Sequence, residues 1–170
     1  IDFHGNEMFT DKKLRKQLKK TKENTWLRGG DFDRKKYEED QGLLLDFYAN
    51  HGYRDIEILR DSISYNELND EMYIDLWINE GPQYTFGDIT FEGNKIFTIE
   101  ELNSQLGFAK GEVYSKKKLE EAIMKNIGTL YYDRGYIYAQ TVPRETEDQN
   151  QELDIHFLVS EGKQARINEI

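Results

Sequence analysis

The 170 residues include no cysteine, and that absence removes both a disulfide framework and any thiolate zinc site. It leaves compartment open, because periplasmic and extracellular proteins can do without cysteine. Long hydrophobic runs are also missing: apolar runs reach three to five residues, against the ~20 that a membrane-spanning helix needs. No targeting signal stands at Ile1. The formal charge of −10 divides into 13 basic and 19 acidic residues up to Asp88 and 10 and 14 after it. Neither half has the surplus of Lys and Arg that a phosphate backbone requires, so no nucleic-acid partner is expected. No H-E-x-x-H, G-x-S-x-G, Walker or G-x-G-x-x-G pattern occurs, and His4, His51 and His156 fall on different elements. The 33 carboxylates show no pair singled out by spacing. Catalytic residues, a metal and a cofactor are all expected to be none.

What the chain does have is an internal repeat, which governs every later reading. Residues 89–98, ITFEGNKIFT, repeat residues 1–10, IDFHGNEMFT. Leu14 and Leu18 match Leu102 and Leu106, Asn50-His51-Gly52-Tyr53 matches Asp133-Arg134-Gly135-Tyr136, and Glu80-Gly81-Pro82-Gln83 returns as Glu161-Gly162-Lys163-Gln164. The offset slides from 88 at Ile1/Ile89 to 83 at Gly52/Gly135 and 81 at Gly81/Gly162, so the first copy is seven residues longer, five of them between its helices. This divides the chain into modules 1–88 and 89–170, each just large enough for a modest core. Because the repeats open at the first residue and close at the last, the chain reads as a segment of a longer polypeptide.

Each copy reads as β-α-α-β-β. A short strand at Ile1–His4 ends in the turn Gly5-Asn6. Thr10, and in the second copy the capping box Thr98-Ile99-Glu100-Glu101, open a helix whose buried stripe is Leu14/Leu18 or Leu102/Leu106. The stretch from Thr21 to Phe32, with Trp26, is a loop. A second helix, capped by Asp33 or Ser115, buries Tyr37, Leu44, Leu45 and Tyr48, or Leu119, Ile123, Ile127, Leu130 and Tyr131, and stops at Gly52 or Gly135. Tyr53–Leu59 and Tyr138–Val142 read as second strands, followed by turns at Asn66–Glu71 and Glu145–Gln151. The strictest alternation, Met72/Ile74/Leu76/Ile78 and Leu153/Ile155/Phe157/Val159, marks third strands. Connection rules place the third strand in the middle of a three-stranded mixed sheet, with both helices on one face and the second strand as an open edge. The fold class is α+β, in two tandem modules.

Three surface features stand out. Lys12–Lys22 holds seven basic residues in eleven, either the solvated side of a helix or an electrostatic contact with an anionic partner. Tyr73, Asp75 and Trp77 alternate with the buried set and face away from the helices, which with Trp26 makes Tyr73 and Trp77 a candidate partner surface. The open edge, Arg54, Asp55, Ile56, Glu57, Ile58 and Leu59, can accept an extended peptide through main-chain bonds, or its charges can simply protect it. Tyr138, Ala139, Gln140, Thr141 and Val142 form a weaker second edge, blunted at its end by Pro143.

Gly-Asn after the first strand, H-G-Y or R-G-Y at the end of the second helix and a closing E-G resemble the POTRA, or polypeptide-transport-associated, modules over essentially the whole chain. The longer loop of the first copy is most similar to the third and fourth modules of the outer-membrane assembly factors of the BamA family. The resemblance implies a periplasmic string of modules ahead of a membrane barrel that lies outside this segment. Its partners would be unfolded outer-membrane proteins and accessory lipoproteins, taken up by strand addition at the second-strand edge. A related two-partner secretion transporter with one dedicated substrate is the alternative. A hydrolase on a repeated α+β scaffold is the alternative of another class.

Overall fold

A computed structural model describes residues 1–21, 32–67 and 71–165. The chain forms two units, Ile1–Pro82 and Gln83–Ile170. The junction lies six residues before the one drawn from the repeat, because Tyr84 and Phe86 are buried in the second core and the strand there begins at Thr85. In the first unit β1 (Asp2–His4), α1 (Asp11–Arg15), α2 (Arg34–Ala49), β2 (Glu57–Tyr65) and β3 (Met72–Asn79) follow one another. The second has β4 (Thr85–Glu92), α3 (Ile99–Asn103), α4 (Lys116–Glu121), a π-helical segment (Ala122–Ile127), α5 (Gly128–Asp133), β5 (Gln140–Glu147) and β6 (Glu152–Ser160). The sheets are ordered β1-β3-β2 and β4-β6-β5, with the first strand of each unit parallel to the central one and the second antiparallel to it.

Alternation decides which sheet face the helices cover. Ile74, Leu76 and Ile78 are buried with Leu14, Leu18, Tyr37, Leu44 and Tyr48, while Leu153, Ile155, Phe157 and Val159 are buried with Leu102, Leu106, Leu119, Ile127 and Tyr131. Each such aliphatic or aromatic side chain removed from water contributes about 2 kcal/mol. Leu45 does not join the first core; Asp40 and Ala49 are the further buried positions of α2. Caps set the helix starts: Asp33 accepts from the Lys35 and Lys36 amides, Ser115 from Lys118, and Thr98 and Glu101 bond reciprocally. Thr10 holds the cap position of α1 without a side-chain bond.

The structure locates each length difference between the copies. Leu18 and Leu106 are 88 positions apart but the caps Asp33 and Ser115 are 82 apart, so the stretch joining the helices of the first unit is six residues longer. Tyr37 and Asp40 stand 82 positions from Leu119 and Ala122, whereas Leu44 and Tyr48 stand 83 from Ile127 and Tyr131. The second unit thus gains one residue within Ala122–Ile127, where the π-helical turn absorbs it and keeps the later side chains facing the core. Ile58 and Thr141 are opposite equivalent residues at an offset of 83, but Arg60 and Val142 at 82, so Leu59 is the extra residue of a β-bulge. Between Tyr65 and its partner Met72 the first unit holds one residue more than the second does between Glu147 and Leu153.

Candidate functional site: the borders and outer faces of the sheets

With β3 between β1 and β2, β2 borders its sheet, and among the described residues no strand lies beyond it. Arg54 and Asp55 lie in the turn after α2, 3.7 Å apart as an ion pair, and Ile56 leads into the strand. Of the six residues proposed from sequence, only Glu57, Ile58 and Leu59 are in β2, which continues to Tyr65. The helix cap accounts for the shift: the Tyr53 amide bonds to the Tyr48 carbonyl at 3.1 Å, so the chain is not yet extended there. Arg60, Asp61, Ser62, Ile63, Ser64 and Tyr65 complete the border. Their polarity hid them; only Ile63, partly buried against the core, signals the strand.

The second border is displaced in the same way. Tyr138 and Ala139 precede β5 in a turn closed by the Ala139 amide on the Tyr136 carbonyl at 3.0 Å, and Gln140, Thr141 and Val142 open the strand. Pro143 does not end it. The residue sits in mid-strand opposite Phe157, and β5 runs on to Glu147.

On the outer face of the first sheet, His4, Trp77 and Arg60 stand in one cross-strand row. The His4 ring stacks on Trp77 at 4.6 Å and 15°, while the Arg60 guanidinium lies 3.8 Å from the Trp77 ring centre, so neighbouring side chains cover the indole. His4 Nε2 is 2.8 Å from Asp75 Oδ1. Tyr73, exposed on the same face, donates to Glu71 at 2.7 Å. Trp26 lies outside the described residues. The corresponding row of the second sheet is Glu92, Leu158 and Val142, with no aromatic ring.

Two carboxylates close the modules, a role that sequence reading did not assign. Glu80 accepts from the Glu7 and Met8 amides at 3.1 and 3.2 Å and from the Tyr48 hydroxyl at 2.8 Å. Glu161 accepts from the Lys95 and Ile96 amides at 2.7 and 2.8 Å and from the Tyr131 hydroxyl at 2.9 Å. Burial, then the carboxylate beside each, raises both tyrosine pKa values. Burial works against the charge of Glu161, yet the Ile96 and Lys95 amides and Tyr131 together hold its carboxyl below the usual glutamate value. The loop thus held begins at Gly5 or Gly93, with φ of +88° and +90°, where a Cβ would fall 2.2 Å from the carbonyl oxygen of Ile78 or Val159. A tyrosine upstream of E-G in both copies was the available signal.

Asp40 was also missed. Fully buried, it accepts from the Lys20 amide at 2.9 Å and from the Thr21 amide, anchoring the end of the basic stretch. Lys12, Lys13, Lys16, Lys19 and Lys20 of that stretch are exposed. Arg15 pairs with Asp2, Lys20 with Glu39, and Lys13 lies over the Phe9 ring at 4.4 Å. Among the described residues no group of three or more His, Cys, Asp or Glu could hold a metal, and no helix is long and apolar enough to cross a membrane.

The POTRA family, described as surface antigen variable number repeat, matches residues 1–81 and 84–162. The chain is 29% identical over 175 residues to the outer membrane protein assembly factor BamA of Neisseria meningitidis serogroup B, covering 100% of this chain and 22% of that protein. It is 27% identical to BamA of Neorickettsia risticii, covering 100% and 23%. The chain therefore spans about a fifth of the length of these relatives. Among solved structures, Haemophilus influenzae BamA POTRA3-5 matches with a TM-score of 0.73 at 22% identity, covering 96% of this chain and 66% of that one. BamA from Haemophilus ducreyi lacking POTRA domains 1-3 matches at 0.66 and 16% identity, covering 88% and 26%. With both halves matched almost end to end, the chain belongs to the POTRA family, as two modules in tandem.

Proposed function

We propose that this chain is a non-enzymatic, periplasmic scaffold segment of an outer-membrane assembly factor, and that it receives unfolded outer-membrane polypeptides and accessory subunits by strand addition along β2. The names of its full-coverage relatives support the assembly role. The observation that carries the mechanism is the nine-residue β2, hydrogen-bonded to β3 on one side and bordering its sheet on the other. Such a border binds through backbone groups and reads little side-chain identity, which suits a receiver of many unfolded chains. The barrel that would tie it to the membrane belongs to a part of the protein outside this segment. Titrating an outer-membrane-protein strand peptide into labelled protein should perturb amides from Glu57 to Tyr65. Shifts confined to the helices would refute strand addition.

A further inference from the structure

We propose that strand addition is confined to the first unit, and that Pro143 is the residue that closes the second. The inference rests on the reading above and adds which of two topologically equivalent borders is usable. β5 borders its sheet as β2 does, and its pairing with β6 runs without a shift from Gln140 opposite Ser160 to Glu147 opposite Leu153. A proline fits such a run only where the ladder does not use its N–H, because an antiparallel strand alternates between residues that bond to the neighbour and residues that point away. The Pro143 nitrogen therefore faces the border. There the ring occupies the space of a donor, at the fourth of eight residues. A guest backbone laid along β5 finds no partner for its central carbonyl and is held off by the ring. Donors on one side of a strand recur every second residue, so the missing one leaves a gap of ~13 Å in the middle of the border.

The opposite border of the second sheet is also occupied. The Phe86 amide bonds to the Glu112 carbonyl at 2.8 Å, the Gly111 amide to Phe86 at 2.7 Å and the Tyr114 amide to Tyr84 at 3.0 Å, with Val113 bridging Thr85. Tyr114 is buried, which fixes this self-added segment in place.

In the first unit, Asp61 takes the place of Pro143: it lies opposite Leu76 as Pro143 lies opposite the equivalent Phe157. Asp61 carries an N–H. Beyond the bulge, Arg60 to Tyr65 form a continuous run in register with Trp77 to Met72. Ser62 and Ser64 leave the outer face of that run low, and Ile63 offers an apolar neighbour on the helix side.

The test compares the whole chain with its Pro143→Thr variant, threonine being well suited to a strand. The probe is a capped peptide of about ten residues that alternates valine and threonine, the pattern of a transmembrane β-strand. In the parent protein the peptide should shift amides of residues 60–65 and leave those of residues 141–147 unmoved. In Pro143→Thr, with an unchanged melting curve, the second set should respond with affinity at least ~10-fold above the parent's. Equal response of β5 in the parent, or a silent β5 in Pro143→Thr, would overturn the inference. Silence of β2 in the parent would contradict strand addition itself, and it is read from different amides.

Discussion

The two units solve one packing problem with helices of different kinds. The first spans it with an unbroken α2 of 16 residues, whereas the second reaches the equivalent glycine through α4, a π-helical turn and α5. Core side chains on both sides of the π turn keep their places, which shows that burial fixed the register and the backbone accommodated the extra residue. The Leu59 bulge does the same for β2. Borders have no core to restrain them, and there the units differ in chemistry: Asp61 in the first stands where the second has Pro143.

Deletions break this comparison most severely. Removing Gly42 from α2 turns every later residue of that helix by ~100°. That would carry Leu44 and Tyr48 out of the core and cost more than about 5 kcal/mol, enough to unfold the unit. Removing Met124, exposed within the π turn, should convert it to α-helix at a cost below ~1 kcal/mol. Both tryptophans lie in the first unit, so their fluorescence during urea unfolding follows that unit, while far-ultraviolet dichroism follows both.

Glycines at the first turn sharpen the comparison from the other side. Gly5→Ala and Gly93→Ala should each cost about 3 kcal/mol in urea unfolding, since both set a Cβ against a carbonyl at positive φ. Equal losses would confirm that the two turns are one device; a mild effect in either would contradict it.

An intermediate effect is expected where the copies differ inside the core. Asp40→Ala leaves the Lys20 and Thr21 amides without their acceptor and should cost the first unit about 2 kcal/mol, read by tryptophan fluorescence.

The smallest effect is electrostatic. Glu161 has a folded pKa below its unfolded value of 4.5, so its contribution is present above that value and is lost as pH falls through the folded pKa. Glu161→Gln should flatten the acid limb of the second unit's stability below about pH 4.5 without shifting its neutral slope.

Much of this architecture was legible because the duplication shows its main apolar and turn signals twice. Strand order, the capping box, Gly52 and Gly135 as helix ends, and the central strands all follow from alternation, spacing and turn chemistry. The borders did not, because a border strand needs few apolar residues. Arg60-Asp61-Ser62-Ile63-Ser64 has one apolar side chain turned inward and otherwise reads as a loop. Asp40 and Glu80 look like surface carboxylates until the amides they accept are in view. The π turn was hidden in a shift of one residue, visible only once Leu44 and Ile127 are known to fill the same site.

Absence of cysteine makes the central claim directly testable, because any introduced thiol is unique. Ser64 and Thr146 hold equivalent outer-face positions, opposite Tyr73 and Asp154, on the two borders. Adjacent strands lie ~4.8 Å apart, within the Cα separation that a disulfide accepts. Under mild oxidation a strand peptide bearing one cysteine should cross-link to Ser64→Cys and leave Thr146→Cys largely unmodified. Equal yields at both positions, or capture at Thr146→Cys alone, would contradict the account.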